Sequence, residues 1–277
     1  MKRYAVPPAW AAAIEEWERA LRAAGRSAQT IETRTEHLRR CARQAGATSP
    51  GTLSAARLVR WAGSRTWARE TRRSMYASLK SFYRWAVETG RSVDDPTEVL
   101  PSVAAGPAVP RPVPEGDYRR ALAAADPRTR VVLRLAAEAG LRRAEIAQIA
   151  RCDLVADLAG WTLLVHGKGG RDRLIPLTDS LAREVRARIG AGPWLLPSPR
   201  DGGHLTARHV GKIASRALPN GVTLHMLRHR FATVVHTSTR DLITTQRLLG
   251  HASVATTQRY VAVADDALRG AMGAAAV

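Results

Sequence analysis

The chain has 277 residues and a formal net charge of +19, from 43 lysine and arginine residues against 24 aspartate and glutamate residues. This length suffices for two ordinary domains with their own hydrophobic cores, and the excess of positive charge is typical of proteins that bind polyanions such as nucleic acid. The same charge is also compatible with a basic surface that is simply solvated. An anionic membrane is a less favoured binding partner, because no basic amphipathic helix adjoins an anchor.

Cysteine usage and apolar runs both argue against a secreted or membrane protein. Cys41 and Cys152 lie far apart without metal-ligand spacing, which favours reduced thiols. We recognise no signal peptide, and apolar runs such as 131–135 are too short to span a bilayer. We therefore expect a cytoplasmic protein, associated with the nucleoid if its ligand is DNA.

Apolar residues at helical spacing predict four helices, and hence a small all-α domain, over residues 1–94. The first helix covers 8–24, and Ser27 is placed to cap the second. Thr52 is predicted to open the third helix, and the fourth covers roughly 70–89.

Basic side chains surround the start and the exposed side of the fourth predicted helix. Such a strip suits DNA phosphates, although a solvated helix face explains the same residues. Its members are Arg65, Arg69, Arg72, Arg73, Lys80 and Arg84.

Six prolines between positions 94 and 114 predict an extended segment, since proline cannot continue a helix. We interpret 95–113 as a linker and 114–277 as a second domain that ends in an alanine-rich tail. If the tail is helical, we expect it to need a partner surface, such as a neighbouring subunit.

The second domain combines helices with a small hairpin. Two strands, 161–165 and 172–177, flank the glycine-rich sequence HGKGGR, which is typical of a hairpin turn. Helices are predicted at 115–125, 128–139, from 141 onward, and at 178–189, 206–217, 225–238, 241–249 and 253–262.

Four side chains near the carboxyl end suit phosphoryl transfer. His225 and Arg228 are three residues apart and so share one face of a helix. His251 follows the Leu-Leu-Gly sequence that ends the next predicted helix, and Tyr260 lies nine residues further on. In such a reaction arginine neutralises phosphate, histidine moves protons and tyrosine attacks.

Two more candidate groups lie upstream. Arg142 follows a glycine helix stop in AGLRRAEI, so its guanidinium can project into a cleft while Glu145, one turn on, orients it. A surface Arg–Glu pair is the plain alternative. Lys168 lies at the tip of the predicted hairpin, where a flexible turn can carry its ammonium over bound substrate; an ordinary surface turn is the alternative.

Metal and nucleotide sites are both disfavoured. His225 and His229 have a zinc-ligand spacing, but the glutamate of HExxH is missing and no third ligand is evident. A P-loop needs GxxxxGK[ST] before a helix, whereas Lys168 is followed by Gly169 between two strands.

Together these motifs resemble the signature of the tyrosine recombinases, the phage integrase family. GLRRAE resembles GLRxxE, and HGKGGRDRLIPL resembles GKGxKxRx[IV]PL with Arg171 where lysine is usual. HxxRH, LGH and a tyrosine after TTQ follow in order. Leu224 stands where proline is frequent and Ala262 where histidine often follows the tyrosine, but neither change removes a catalytic group.

The resemblance implies a mainly α fold with a small β-sheet: an all-α, SAM-like four-helix core-binding domain and an α+β catalytic domain. The chain begins almost directly with the former, so we expect no arm-site-binding domain. Tyr260 would attack the scissile phosphate, which forms a 3′-phosphotyrosine, frees a 5′ hydroxyl and requires no cofactor or metal. In the family roles, Arg142 and Arg228 clamp the phosphate, His225 assists proton transfer, His251 donates a hydrogen bond and Lys168 protonates the leaving oxygen.

The implied partners are double-stranded DNA with inverted-repeat half-sites and three further copies of the chain, as a tetramer that exchanges strands on two sites through a Holliday junction. An accessory factor that sets direction is left open. We favour an integrase of a phage or other mobile element over a Xer-type dimer resolvase. The reasons are the high arginine and alanine content, the short loops and the departures from the motif sequences usual in Xer recombinases. An inactive DNA-binding regulator and a type IB topoisomerase are the remaining alternatives.

Overall fold

The computed structural model describes residues 5–106, 112–167 and 170–250, with Asp157 described by its backbone alone. The chain divides into two compact units, Met1–Pro107 and Ala108–Val277. The described residues are mainly helical with one small antiparallel sheet, which confirms the predicted fold class. None of the described helices combines the length and the hydrophobicity that a bilayer-spanning helix needs.

Aromatic rings fill the core of the first unit. Its helices are α1 Pro8–Ala23, α2 Ala28–Gln44, α3 Ala55–Gly63 and α4 Arg69–Glu88. The ring of Phe82 on α4 lies 5.9 Å from that of Trp10 and 5.4 Å from that of Trp17, both on α1. All three rings are almost fully buried, so they fix α1 against α4.

The start of α3 differs from the prediction. The hydroxyl of Ser54 accepts a hydrogen bond from the backbone N–H of Arg57, 3.3 Å away, so Ser54 caps the helix instead of Thr52. Thr52 lies in a short 3-10 turn and hydrogen-bonds Ser49. Such a cap contributes about 1 kcal/mol.

The first part of the proline-rich segment packs within the first unit. Thr97 and Leu100 are buried, and Lys80 of α4 donates a hydrogen bond to the carbonyl of Leu100 over 2.8 Å. Residues 96–100 form turns instead of the predicted extended backbone, and the N–H of Leu100 donates to the carbonyl of Thr97 over 3.0 Å. The hydrogen bond from Lys80 anchors these turns on α4.

The second unit is built around a buried helix, α6. Its helices are α5 Glu115–Ala124, α6 Pro127–Glu138, α7 Arg143–Gln148, α8 Asp179–Ile189, α9 Ala207–Ala217, α10 Leu224–Thr239 and α11 Leu242–Leu249. Val132, Leu133 and Leu135 of α6 are completely buried, and α8, α9 and α10 pack against this helix. The apolar core therefore supports the first turn of α10, where the predicted HxxR pair lies.

The sheet has three antiparallel strands, β1 Leu154–Asp157, β2 Gly160–Val165 and β3 Arg173–Leu177, in the order β1-β2-β3. The sequence predicted β2 and β3 but not β1, whose four residues are too few to show alternation. At the end of β2, the His166 ring nitrogens lie 3.0 Å from carboxylate oxygens of Asp153 and Asp172. These contacts raise the pKa of His166 and fix the base of the hairpin.

Candidate active site

The turn between α6 and α7 positions Arg142. Gly140 has a φ of +66°, and a Cβ atom there would lie 2.4 Å from Cδ1 of Phe231. Only glycine fits both the backbone and the contact. Arg142 follows in extended conformation as the N-cap of α7, with its side chain 40% exposed.

Glu145 lies almost completely buried among arginines. Its carboxylate accepts hydrogen bonds from the backbone N–H of Arg142 at 2.8 Å and from Arg142 Nη1 at 2.7 Å. Arg173, the first residue of β3, donates from Nη1 and Nη2 to the two oxygens at 3.0 and 2.9 Å. Nη1 of Arg228 lies 3.8 Å from the same carboxylate.

The charge state of Glu145 follows from these contacts. Burial alone would raise the pKa of its carboxyl, but the hydrogen bonds from Arg173 and from the backbone of Arg142 outweigh burial and lower the pKa to about 2. Glu145 is therefore ionised at neutral pH and orients three guanidinium groups.

Arg228 lies one turn along α10 from His225 and is only 1% exposed. It donates hydrogen bonds to the carbonyl of Gly140 and, over 2.5 Å, to that of Leu249. The guanidinium therefore ties the turn before Arg142 to the last residue of α11.

The carboxyl end of α11 receives two cations. Arg173 Nε donates to the carbonyl of Leu248 at 2.9 Å, beside the Arg228 contact with Leu249. Positive charge at this end of a helix is favourable because the last carbonyls lack partners within the helix. Gly250, with a φ of +62°, then ends the helix. Two arginines thus hold the last two residues of α11 in place.

His225 lies in the first turn of α10, whose N-cap is the hydroxyl of Thr223. The side chain keeps an exposed edge, and partial burial lowers the pKa of His225, with a further contribution from the charges of Arg228 and Arg142. Burial also lowers the pKa of His229, to about 4, and the two rings lie 4.3 Å apart. Both imidazoles are therefore neutral at pH 7, so His225 is available to accept a proton.

A cavity of about 700 Å³ adjoins these groups. Among the described residues it is lined by the predicted Arg142, His225 and Arg228, and no carboxylate lines it. Three further cations line the same cavity: Arg143, Arg208 and Lys212. An excess of fixed positive charge in a concave site favours an anion such as a phosphodiester.

The predicted site residues fall into two groups. Arg142, Glu145, His225 and Arg228 are brought together as described above. The other three predicted catalytic residues, Lys168, His251 and Tyr260, lie outside the described residues. The predicted helices over 253–262 and in the tail also fall there.

The basic strip of the first unit is smaller than its sequence suggests. Its exposed members are Arg69, Arg73 and Arg84. Arg72 donates a hydrogen bond to the carbonyl of Arg65 over 3.1 Å, and Lys80 is bound to Leu100. Arg73 also pairs with Glu70 over 2.9 Å, but its side chain stays exposed. Their exposure makes the three the better candidates for an external anion.

Sequence reasoning assigned no role to Arg173, Arg208 or Lys212. Arg173 is the arginine of the quoted family pattern GKGxKxRx[IV]PL, but the pattern alone does not indicate what this side chain contacts. Arg208 and Lys212 are four apart on α9 and share one face, but many surface pairs have this spacing. Among the described residues, no group of three or more His, Cys, Asp or Glu side chains is arranged to hold a metal ion.

Comparison with known sequences places this chain beside a protein family and its curated relatives. The sequence model of the Phage integrase family matches residues 113–267. Tyrosine recombinase XerD of Caulobacter vibrioides is 34% identical over 216 residues, which cover 69% of this chain and 70% of the relative.

Comparison with solved structures extends the likeness to the whole fold. A lambda integrase dimer bound to a COC′ core site aligns with a TM-score of 0.71 and 17% identity, over 90% of this chain and 94% of that chain. A lambda integrase tetramer bound to a Holliday junction aligns with a TM-score of 0.69 and 17% identity, over 87% and 77% of the two chains. At such identities the likeness concerns the fold alone.

The ionised state of Glu145 gives a pH dependence of stability. Because the pKa is about 2 in the folded chain against an ordinary 4.5, the carboxylate stabilises the fold fully above pH 4.5, and this contribution is lost as pH falls toward 2. We expect the stability difference between wild type and Glu145→Gln to shrink over this range by on the order of 3 kcal/mol. Urea unfolding at stepped pH measures it. A difference that does not change with pH would show that the arginines do not hold this carboxylate ionised.

Proposed function

The chain belongs to the phage integrase family, and from this premise we propose that it is the integrase of a phage or other mobile element. Its reaction class is that of a tyrosine-type site-specific recombinase. We assign the strand-cleavage site to the cavity at Arg142, His225 and Arg228. The observation that carries this assignment is the buried carboxylate of Glu145, which orients three guanidinium groups beside an otherwise cationic cavity.

The chemistry proposed for this cavity is displacement at a DNA phosphodiester. The scissile phosphate accepts hydrogen bonds from the exposed part of Arg142, and Arg228 adds positive potential from the cavity wall. The pentavalent species carries more negative charge than the ground state, so cations already fixed in place stabilise it preferentially. Neutral His225 takes up the proton that the nucleophile releases.

The remaining roles rest on the family motifs. Tyr260 supplies the nucleophilic oxygen, which bonds to phosphorus as the bond to the 5′ oxygen breaks. Lys168 donates a proton to that oxygen, and His251 donates a hydrogen bond to the phosphate. The resulting 3′-phosphotyrosine retains the energy of the phosphodiester, so a free 5′ hydroxyl of another strand can reverse the reaction without ATP.

The three further cations that line the cavity extend the proposed binding surface along the DNA backbone. Arg143 begins α7, and Arg208 and Lys212 lie on α9, which packs against α7. All three side chains are exposed, so we assign them to phosphates that flank the scissile one. In the first unit, Arg69, Arg73 and Arg84 are assigned to backbone phosphates as well.

The proposed assembly is a tetramer on two DNA sites, each composed of inverted half-sites. Support comes from the lambda integrase tetramer bound to a Holliday junction, whose fold this chain shares. Protein symmetry then predicts the symmetry of the half-sites.

A Xer-type dimer resolvase is the second candidate. The 34% identity with a XerD recombinase favours it. Both candidates use the same chemistry and differ in the DNA that they recombine.

Replacing Tyr260 with Phe removes one oxygen and should abolish the covalent adduct while DNA affinity stays within about twofold, since the cations that bind phosphate are retained. Trapping on nicked suicide duplexes measures the adduct, and a gel shift measures affinity. Trapping by wild type should be unchanged in EDTA. An adduct with the Tyr260→Phe variant, or a wild-type reaction that needs added metal, would reject the proposed chemistry.

The double variant Arg208→Gln/Lys212→Gln should weaken DNA binding and reduce the slope of log K against log salt by about 2, one for each lost phosphate contact. The matched control is Arg119→Gln/Arg183→Gln, which removes two exposed arginines that do not line the cavity. Equal slopes for the two double variants would place the DNA elsewhere.

A two-plasmid assay distinguishes the integrase from the resolvase. One plasmid carries the DNA that flanks the gene, and the other carries either an identical copy or the uninterrupted sequence from a strain that lacks the element. We expect recombination between the two different sequences, with Tyr260→Phe as the inactive control. Recombination only between identical copies, with resolution of plasmid dimers, would favour the Xer-type role.

A further inference from the structure

Arg173 occupies the junction between three elements of the second unit. It begins β3, and its side chain is 9% exposed. Nη1 and Nη2 donate to both oxygens of Glu145 on α7, and Nε donates to the carbonyl of Leu248 on α11. One planar group therefore fixes the distance between Glu145 and the end of α11.

The turn that ends α11 packs directly on this side chain. A Cβ atom at Gly250 would lie 2.9 Å from Cδ of Arg173 and 3.1 Å from Nη1. Glycine at this position is required both by its positive φ and by the close approach of the arginine. The chain continues from Gly250 into His251 and, nine residues later, Tyr260.

Arg173 differs from the residues assigned to DNA binding, because its hydrogen bonds go to other groups of the protein. Arg173 does not line the cavity that contains Arg142, His225 and Arg228. Its three hydrogen bonds are directed at protein groups in two different directions, which suits the rigid guanidinium fork. A lysine at this position supplies the charge but not the bidentate contact or the Nε donor.

We propose that Arg173 is a positioning residue for strand cleavage: it holds the end of α11, from which the chain continues to His251 and Tyr260, against the Glu145 cluster. This inference rests on the proposed function, because it assumes that the segment after α11 supplies the nucleophile. Loss of the contact should displace the nucleophile from the phosphate while the cavity keeps its cations. A displacement of about 1 Å can slow such a reaction by about 100-fold.

The test compares Arg173→Lys and Arg173→Gln with wild type in single-turnover cleavage of a nicked suicide duplex at saturating protein. We expect the rate constant for the covalent adduct to fall by about 10-fold to 100-fold, while DNA affinity stays within about twofold. The Lys variant should recover little of the loss, since charge alone does not restore the geometry. The control is Arg119→Lys, a conservative change at an exposed arginine in a surface ion pair, which should leave the rate constant unchanged.

Rate constant and amplitude separate positioning from folding. A variant that is merely unstable has fewer active molecules, so the amplitude falls while the rate constant is retained. A lower rate constant at full amplitude supports positioning; an unchanged rate constant, at any amplitude, overturns it. If the Arg173→Lys protein is unstable, Glu145→Asp supplies a second test, because it shortens the same connection from the other end. The rate constant of the Glu145→Asp protein should then fall at full amplitude, and an unchanged rate constant would overturn the proposal.

A substrate with sulfur in place of the 5′ leaving oxygen identifies the side of the reaction on which Arg173 acts. A thiolate leaves without a proton donor, so this substrate rescues defects in leaving-group protonation. We expect no rescue of the Arg173 variants, because the defect lies with the nucleophile. Rescue would overturn the proposal and assign Arg173 to the hairpin of Lys168. Absence of any adduct with wild type and with Arg119→Lys would reject the proposed function instead, independently of Arg173.

Discussion

Burial of a carboxylate costs several kcal/mol unless cations and hydrogen-bond donors surround it, and the second unit compensates this cost at Glu145 with arginines from three directions. Arg142 comes from the turn after α6, Arg173 from β3 and Arg228 from α10. Arg173 and Arg228 also hold the end of α11, and Arg228 holds the turn before Arg142, so the carboxylate acts as a common reference point. Its removal would leave three guanidinium groups in mutual repulsion and would release the turn, the strand and the helix that they fix.

The same arrangement explains how so much positive charge can remain fixed beside a cavity. Three guanidinium groups and one carboxylate leave a formal excess of two positive charges. Hydrogen bonds to Glu145 hold Arg142 and Arg173, and hydrogen bonds to backbone carbonyls hold Arg228, without bound substrate. A phosphodiester brings one negative charge, and the species formed by nucleophilic attack brings more. Neutral His225 adds no further positive charge at pH 7, since burial and the adjoining arginines keep its pKa low. The site is thus electrostatically prepared for the charged intermediate.

Local signals in the sequence predicted much of the fold, and non-local contacts account for most of the rest. Ser27 was predicted as a cap because capping depends on neighbours in sequence, and its hydroxyl accepts from the Thr30 N–H. The two residues of the HxxR pair share a helix face, and Arg142 and Glu145 share a turn, so their spacing in the sequence was enough to predict that each pair lies close together. Arg173 lies 28 residues from Glu145 and 75 from Leu248. Nothing in the sequence near Arg173 specifies that these groups meet, so its role required the fold.

The burial of Arg228 changes how a two-arginine phosphate clamp has to be understood. The motif places Arg228 beside His225, which suggests two equivalent arginines on either side of the phosphate. Instead, Arg142 is 40% exposed, whereas Arg228 is 1% exposed and donates to the carbonyls of Gly140 and Leu249. The two roles are therefore unequal: Arg142 presents its guanidinium outward, and Arg228 forms part of the wall. Because Arg228 holds both the turn before Arg142 and the helix before His251, a substitution there disturbs geometry and charge together, so its effect on cleavage does not measure a phosphate contact alone.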